Sequence, residues 1–367
     1  MAAARSGRSW PLGLVGMLAM VVGVERWVVW HDLDFTTVWA ADWSQAARGA
    51  SRSAPGCTLL CFGDSQVKYG VSPTALEASM GGRSHNLAVQ ASKAPAAYFL
   101  LRRALEAGAR PDAIVVDYDG HHLGLGPEAV SRQWPELATW RDQVELARVA
   151  GSASLLADYA VSRLLPSAKS RFEARENLYA ALAGRLHPRR DAIPPLWRNW
   201  RQNRGAQPMP PSPPTPLDVQ LADLPWEPAY VNKVFLDKFM KLASARGIAV
   251  YWLVPPVRPE VQRARDRVSS EPAFTEFLRR AVDRYPNLTA LDARHSGYPA
   301  SAFHDITHLD RRGAGVLTRD LAGVIRSRNP GDGRYLAMPK FTAFDGEGPE
   351  DVEQSRLALE ARGRLLK

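Results

Sequence analysis

The stretch TLLCFGDSQVKYG, residues 58–70, is an apolar run that breaks abruptly into glycine, aspartate and serine. The run from Thr58 to Phe62 predicts a buried strand, and Gly63 allows the chain to turn sharply after it. Ser65 is then expected at the carboxyl edge of a sheet, above the first turn of a helix, where open α/β sheets bind their ligands. The stretch therefore predicts an α/β fold with Ser65 at its functional edge.

A second stretch, FHDITHLDRRGAG at residues 303–315, supplies a candidate base for this serine. Asp305 and His308 are three residues apart, so both side chains can reach one point from a single turn. A serine hydroxyl is a useful nucleophile only when a base accepts its proton. The alternative without catalysis is that Ser65 caps a helix and that Asp305 pairs with Arg311 or Arg312 at the surface.

Apolar strands alternate with amphipathic helices between these two stretches. Short connections between strand and helix favour parallel strands joined by helical crossovers. After the strand at residues 58–62, further strands are predicted at His85–Val89, Ala113–Val116, Ile248–Val254 and Leu288–Leu291.

The FGDS motif that ends at Ser65, together with the D-x-x-H motif of Asp305 and His308, resembles the motifs of the SGNH (GDSL-type) hydrolase and acyltransferase superfamily. Leu309 and Gly313, which follow the histidine, belong to the same resemblance. It implies a flavodoxin-like three-layer α/β/α sandwich with about five parallel strands. It also implies that Ser65 is the nucleophile, His308 the general base and Asp305 the residue that orients the base.

The same resemblance implies an oxyanion hole built from the backbone N–H groups of Ser65 and Ala91. In the superfamily the second N–H usually belongs to a glycine after an N-L-G-like segment, and Asn86-Leu87-Ala88 matches that segment loosely. A backbone donor survives the change from glycine to alanine where the dihedral angles allow it. A plain turn between strand and helix is the alternative interpretation.

The chain departs from the superfamily after the third strand, where many members have G-x-N-D with an asparagine that donates to the oxyanion. Here residues 117–122 read DYDGHH. An ionised aspartate cannot donate a hydrogen bond, whereas a histidine can. We therefore assign His121 or His122 as a candidate third donor, with His121 preferred. Adjacent residues point in opposite directions at a strand end, so at most one should face the site. The alternative is that both are exposed loop histidines.

The N-terminal residues predict a membrane anchor. Arg5 and Arg8 precede a largely apolar stretch from Trp10 to Trp30, which would span about 30 Å as a helix. Basic residues on the short N-terminal side favour a cytoplasmic N-terminus. Residues 1–30 are thus expected to form a single-pass signal anchor in the cell membrane, with the catalytic domain extracytoplasmic. A cleaved signal peptide and a buried helix of a soluble protein are the alternatives.

The rest of the chain divides by composition. Residues 31–56 are expected to form a stalk with one short helix around Ala40–Arg48, and residues 57–328 the catalytic domain. Within that domain, residues 128–226 are an expected helical insertion with a proline-rich tether, placed over the carboxyl edge of the sheet. Residues 329–367 are an expected peripheral tail. Five tryptophans in or near the insertion could stack on sugar rings, or could pack in cores: Trp134, Trp140, Trp197, Trp200 and Trp226.

Composition limits the function further. The net charge is +9, but the basic residues are scattered and form no aromatic-interleaved stripe, so nucleic-acid binding is not expected. Cys57 and Cys61 would lie about 13 Å apart along one strand, too far for a disulfide. The sequence has no cluster typical of a metal site, and it calls for no cofactor.

The expected function is that of a membrane-anchored serine esterase or O-acyltransferase. The anchor favours acyl esters of cell-surface polysaccharide as substrates, and the layout resembles membrane-anchored proteins that D-alanylate or O-acetylate surface polymers. Alginate O-acetyltransferases of the superfamily differ, since they place their D-x-H pair before the serine. The missing asparagine and glycine favour an alternative, a catalytically inactive SGNH-like module that binds polysaccharide or an envelope assembly partner.

Overall fold

Six parallel strands form the sheet at the centre of the computed structural model, which describes residues 12–184, 189–214, 216–327 and 334–352. The strand order is β2-β1-β3-β4-β5-β6, with every neighbouring pair parallel. The strands are β1 (Leu59–Phe62), β2 (Ser84–Asn86), β3 (Ala113–Val116), β4 (Ala249–Val254), β5 (Leu288–Asp292) and β6 (Tyr335–Ala337).

Helices cover both faces of this sheet, and most strand connections contain one. In the described residues the α-helices are α1 (Leu12–Trp30), α2 (Asp32–Phe35), α3 (Val38–Arg52), α4 (Ser65–Gly70), α5 (Pro73–Met80), α6 (Ala94–Glu106), α7 (Gly120–Gly124), α8 (Trp134–Leu137), α9 (Trp140–Ala150), α10 (Ala153–Leu164), α11 (Pro166–Lys169), α12 (Arg171–Leu182), α13 (Arg189–Gln202), α14 (Tyr230–Ser244), α15 (Pro259–Arg265), α16 (Ser270–Arg284) and α17 (Arg311–Arg326). Two 3₁₀ turns, Pro127–Val130 and Ala300–Ala302, complete the set.

Strand side chains alternate between the two layers of helices. In β1, Leu60 and Phe62 belong to the core formed with α3, α6, α14 and α16, whereas Leu59 and Cys61 belong to the core formed with α4, α5 and α17. All four side chains are buried, as a parallel sheet covered on both faces requires. The expected three-layer α/β/α sandwich is therefore confirmed, and the order of the first five strands is the flavodoxin-like one.

The expected strand count and tail need correction. The expected second strand, His85–Val89, is shorter in the structure and ends at Asn86. A sixth strand, β6, comes from the expected peripheral tail and pairs with β5. The buried Met338 follows it and joins the core. Residues 334–352 thus complete the sheet and its packing, whereas residues 329–333 and 353–367 lie outside the described residues.

The expected stalk is wrong for its second half. Residues 38–52 form α3, whose side chains Trp43, Ala46 and Ala50 are buried in the core shared with α6. The surface that packs is built largely from alanines, which allow close approach of α3 to its neighbours. This segment is therefore part of the domain and not a spacer outside it.

The insertion also lies elsewhere than expected. Its helices continue the α3 and α6 side of the molecule, because Leu137, Leu146 and Tyr159 extend that core. Only the irregular segment after α13 approaches the carboxyl edge, where the backbone of Met209 accepts a hydrogen bond from the N–H of Arg311. The helices of the insertion thus flank the sheet, and its proline-rich part reaches the edge.

Helix α1 is the one candidate membrane span in the described part of the chain. Its 19 residues have a mean hydropathy of 1.8 over the best window, and their side chains are almost entirely exposed. It is long and apolar enough to cross a bilayer.

Candidate active site

The turn between β1 and α4 places Ser65 where the strand order reverses. Gly63 has a φ of +129°, and a Cβ there would overlap the side chain of Asp117, which follows β3. The N–H of Asp64 donates to Asp117 Oδ1 at 2.7 Å, while Asp64 Oδ1 caps α4 by accepting from the N–H of Gln66 at 2.7 Å. Glycine is thus required for the close approach of β1 and β3, and Ser65 begins α4 at this crevice.

The three residues of the predicted triad meet through two hydrogen bonds. His308 Nε2 lies 2.8 Å from Ser65 Oγ, and His308 Nδ1 lies 2.7 Å from Asp305 Oδ2. Burial by itself would raise the pKa of Asp305, but the hydrogen bond and charge of His308, together with backbone N–H groups, lower it to about 2. Because Asp305 is ionised, Nδ1 carries the proton and donates, and Nε2 is free to accept from the serine hydroxyl.

Local contacts hold this triad in place. Asp305 Oδ1 accepts from the N–H of Thr307 at 2.9 Å and from that of His308 at 2.8 Å. The ring of Tyr69 in α4 packs edge-on against the imidazole with 4.8 Å between ring centroids. The side chain of Gln66 donates to the carbonyl of Thr307 at 3.3 Å and so ties α4 to the loop. These contacts hold the imidazole through its own loop and through α4, whose Gln66 is 241 residues from Thr307 in the chain.

The backbone N–H groups of Ser65 and Ala91 make no hydrogen bond within the described residues, and the loop of Ala91 is tied to the turn before Ser65 by the N–H of Val89, which donates to the carbonyl of Gly63 at 3.0 Å. Ser65 is the first residue of α4, where helical N–H groups have no partner in the helix. Ala91 has a φ of +55°, the left-handed conformation in which glycine is common. Ala91 is thus a non-glycine residue with a backbone conformation that glycine adopts readily.

The loop that contains Ala91 is held by α3. Asp42 Oδ2 accepts from the N–H of Gln90 at 2.8 Å, and Trp43 Nε1 donates to the carbonyl of Gln90 at 3.0 Å. Asp42 also pairs with Lys68 of α4 at 2.5 Å, and both side chains are almost fully buried. One carboxylate therefore fixes both the helix that Ser65 begins and the loop of Ala91.

The two histidines after β3 have different surroundings. His122 Nδ1 lies 2.6 Å from Asp64 Oδ2, whereas the exposed His121 lines the cavity described below. Burial opposes protonation of His122, but the hydrogen bond and charge of Asp64 raise its pKa. Burial by itself would raise the pKa of Asp64, but the hydrogen bond and charge of His122 lower that pKa to about 2. His122 is thus a partner of Asp64, and His121 stays the only one of the two that faces the open space.

Asp117 takes the place where the resemblance would put a donor. Burial raises its pKa well above the usual range, and the nearby charge of Asp64 adds to this. The carboxyl group lies beneath the turn and accepts from the N–H of Asp64 at 2.7 Å. Its role is to close the contact between β1 and β3.

A cavity of about 370 Å³ lies next to the triad, within the size range of small-molecule sites. Gln66 and Thr307, the neighbours of Ser65 and His308 in sequence, form part of its wall. The charged residues in the wall are paired: Arg265 with Asp119, and Arg294 with Glu271. Most of the remaining wall is apolar, with Leu221, Trp226, Leu253, Val254, Val261 and Phe274.

Of the two alternatives for the five tryptophans, sugar stacking or packing in cores, two tryptophans follow the second. Trp134 and Trp200 are fully buried and pack in cores. Trp140 packs edge-on against Tyr159, with 4.8 Å between centroids. Trp226 lies in the cavity wall, where its Nε1 donates to the carbonyl of Gly120 at 2.6 Å.

Sequence analysis missed the supporting residues Asp42, Trp43, Lys68 and Gln90. Each lies far in sequence from at least one partner, so no short motif contains them. The signal that could have found them is a charged residue within an alanine-rich helix, since such a charge needs a buried partner. Among the described residues, no group of three or more His, Cys, Asp or Glu side chains could hold a metal ion. Cys57 and Cys61 are buried free cysteines.

Comparison with known proteins gives no match: no protein-family model matches the chain, and no curated protein sequence does.

Proposed function

We propose that this protein is a membrane-anchored serine esterase or O-acyltransferase of the SGNH type, acting through an acyl-Ser65 intermediate. The observation that carries the proposal is the pair of hydrogen bonds that links Ser65 Oγ to His308 and His308 to Asp305, at 2.8 and 2.7 Å. Separations of this size allow proton transfer from serine to imidazole during attack. The position of Ser65 at the carboxyl edge of a parallel sheet supports the same assignment.

In the first half of the reaction Ser65 Oγ attacks the carbonyl carbon of an ester while His308 Nε2 takes the hydroxyl proton. The carbonyl π electrons move onto oxygen and form a tetrahedral oxyanion. When this intermediate collapses, the bond to the alcohol breaks, and His308 gives its proton to the departing alkoxide. Asp305 stays ionised throughout, keeps the imidazole in the right tautomer and stabilises the imidazolium.

In the second half an acceptor hydroxyl attacks the acyl-serine ester, and His308 takes the proton of that hydroxyl. Collapse of the second intermediate returns the proton to Ser65 Oγ and releases the new acid or ester. Water as acceptor gives hydrolysis, and a sugar hydroxyl gives acyl transfer.

The oxyanion is assigned to the N–H groups of Ser65 and Ala91, with His121 as an additional side-chain donor. The two N–H groups support this role because they have no partner within the described residues. A single donor aimed at the developing oxyanion contributes about 10²–10³ in rate.

The cavity beside the triad is assigned to the acyl group of the substrate. Its charges are paired within the wall, so the surface offered to a ligand is chiefly apolar. A membrane anchor formed by α1 would hold the site near a cell membrane, and acyl esters of cell-surface polysaccharide are the proposed substrates. The orientation proposed for α1 puts the catalytic domain on the extracytoplasmic side.

Labelling with a fluorescent fluorophosphonate tests the nucleophile directly, because the reagent bonds covalently to activated serines. The full chain should be labelled, and Ser65→Ala should abolish the labelling. Ser301→Ala, which changes a serine in the loop before the triad histidine, should leave the labelling unchanged. Failure of the folded protein to react would overturn the esterase proposal and favour an inactive polysaccharide-binding module.

A series of p-nitrophenyl esters tests the acyl cavity. Leu221→Trp, in the cavity wall, should lower kcat/KM for the octanoate about tenfold more than for the acetate. Leu224→Trp is the matched control, since Leu224 is 65% exposed and lies outside the wall. Equal effects of the Leu221 change on both esters would exclude the cavity as the acyl site.

A further inference from the structure

Helices α10, α11 and α12 expose an unusual number of large apolar side chains. We call this surface the α10–α12 face. Its apolar members have between 39% and 76% of their side chains exposed, a density that marks interaction surfaces in soluble domains. They are Val161, Leu164, Leu165, Phe172, Leu178, Tyr179 and Leu182.

In α12 these residues form one stripe. At 100° per residue, Phe172, Leu178, Tyr179 and Leu182 fall within an arc of about 120°. Glu173 lies outside that arc, is buried and pairs with Arg132 at 2.7 Å. The helix therefore points apolar residues outward and holds a charged residue inward, the reverse of the usual surface helix.

Basic side chains lie within or beside the same stripe. Arg171 and Arg175 are exposed, and their guanidinium groups lie 4.9 and 5.3 Å from the rings of Phe172 and Tyr179. Arginines within an apolar stripe can bury their aliphatic stems among apolar groups and keep the charged guanidinium at the polar boundary, as at the interface of a bilayer. Anionic headgroups would complement these charges.

The α10–α12 face is continuous with α1. Glu25 of α1 accepts hydrogen bonds from the N–H and the hydroxyl of Ser167 in α11, at 2.8 and 2.6 Å. Glu25 is five residues before the end of α1 at Trp30, which is about 7.5 Å along the helix axis. If α1 spans a bilayer with Trp27 and Trp30 at the interface, α11 lies at the depth of the headgroups.

We propose that the α10–α12 face lies in the headgroup layer of the membrane that α1 spans, with its apolar side chains among the acyl chains and Arg171 and Arg175 on anionic lipid headgroups. The proposal rests on the proposed membrane anchoring of α1, and it makes the insertion a second membrane contact. The domain would then be held in a fixed orientation and not swing freely on one helix.

Depth measurements on the full chain in lipid vesicles test this surface. A maleimide carrying an environment-sensitive fluorophore is attached to Leu178→Cys or Leu182→Cys, and lipids brominated near the headgroup serve as quenchers. Cys57 and Cys61 are buried, so the introduced thiol reacts selectively. Val22→Cys, exposed on α1, reports insertion of the anchor, and Leu224→Cys, 65% exposed on the proline-rich segment, is the aqueous control.

The expected result is a blue shift and strong quenching at residues 178 and 182, a blue shift with weaker quenching at residue 22, which lies deeper in the bilayer, and neither at residue 224. A blue shift at residue 22 with an aqueous signal at residues 178 and 182 would overturn the membrane contact while leaving the anchor intact. An aqueous signal at all positions would overturn the anchor as well. A signal at 178 that appears only when cell membranes are added to the vesicles would assign the face to a membrane protein and overturn the lipid proposal.

The arginines supply a second measurement. Arg171→Gln with Arg175→Gln should shift the docking equilibrium in anionic vesicles about fivefold per residue and have little effect in zwitterionic vesicles. Arg246→Gln is the control, because Arg246 is exposed and lies just after the end of α14. Equal docking of the double variant and the parent in anionic vesicles would show that the headgroup contacts proposed here are wrong.

Discussion

Asp305, the carboxylate that binds the imidazole, is held by N–H groups of its own loop, whereas the loop of Ala91 depends on side chains of α3, 48 residues earlier in the chain. We call these two parts of the candidate site the triad side and the oxyanion side. On the triad side, Asp305 accepts from N–H groups two and three residues away. On the oxyanion side, Asp42 and Trp43 of α3 bind both backbone polar groups of Gln90.

This difference teaches that one site can combine a local part with a remote part. On the triad side the Asp305–His308 pair forms within one short motif, and α4 brings Ser65 and Tyr69 to it from a distant part of the chain. The oxyanion side needs a correctly docked helix from outside the α/β repeat. Changes on the triad side should therefore affect chemistry with little effect on folding, and changes to α3 should affect both.

The largest expected effect is on the triad side. Ser65→Ala and His308→Ala should each lower kcat for an activated ester by a factor on the order of 10⁶, and the double variant should be no worse, because nucleophile and base act as one unit. Steady-state kinetics measure this, and thermal melting checks that each variant stays folded. Additive losses in the double variant would show that the two residues act independently.

Asp305→Asn should lower kcat less, by roughly 10⁴, because the imidazole keeps its place but loses the partner that fixes its tautomer. It should also change acid stability. The pKa of Asp305 is about 2 in the folded protein against an ordinary value of 3.8. The stabilisation that ionised Asp305 gives the folded protein is therefore present above pH 3.8 and is lost as the pH falls through 2. Urea titrations should show the parent's advantage over the variant shrinking over that range, and a constant difference would contradict the assignment.

Asp42→Asn tests the remote support. It leaves Lys68 buried without a counter-charge, which should lower the free energy of unfolding by about 3–5 kcal/mol. Asp237→Asn is the matched control, since its partners Lys241 and Arg284 are largely exposed, and it should cost less than about 1 kcal/mol. Urea unfolding measures both. Similar losses in the two variants would mean that α3 contributes no special support.

His121→Ala tests the side-chain donor of the oxyanion side. If His121 donates to the oxyanion, kcat should fall about 10²-fold with little change in KM. His122→Ala is the contrasting variant, because His122 binds Asp64 and its loss should act mainly on stability. A His121→Ala enzyme as active as the parent would leave the oxyanion to backbone N–H groups alone.

Ala91→Gly should have the smallest effect. Glycine keeps the N–H and relieves the left-handed strain of a Cβ at φ +55°, but it also gives the unfolded chain more freedom. These effects oppose each other, so stability should stay within about 1 kcal/mol and kcat within about twofold. A large loss of activity on this change would show that the methyl group of Ala91, and not its N–H, matters.

The sequence predicts the triad side well because its chemistry needs close spacing. Asp305 and His308 act on each other within one turn, and Gly63 reports the sharp bend before Ser65. The sheet was predictable from local sequence as well, since β1, β3, β4 and β5 are apolar runs bounded by residues that typically end strands. Ala91 stands where the resemblance has a glycine, and its backbone has the left-handed conformation in which glycine is common.

The oxyanion side and the sheet edge could not be predicted in this way. Helix α3 has few large apolar side chains and buries mainly alanines together with Trp43 and Asp42, so residues 38–52 resembled a stalk. Strand β6 has three residues within a charged segment, too few to show a period of two. In both cases the stabilising contacts are with residues distant in sequence, and only the packed structure reveals them.

The buried pair of Asp42 and Lys68 has a consequence for proteolytic release. Cleavage between α1 and α3 would free the domain with Asp42 and Trp43 still in place, and the shed form should remain folded. Cleavage anywhere after residue 43 would remove the hydrogen bonds of Asp42 and Trp43 to the backbone of Gln90. It would also leave Lys68 buried without the opposite charge of Asp42. A soluble form that is to retain a competent site must therefore begin before Val38.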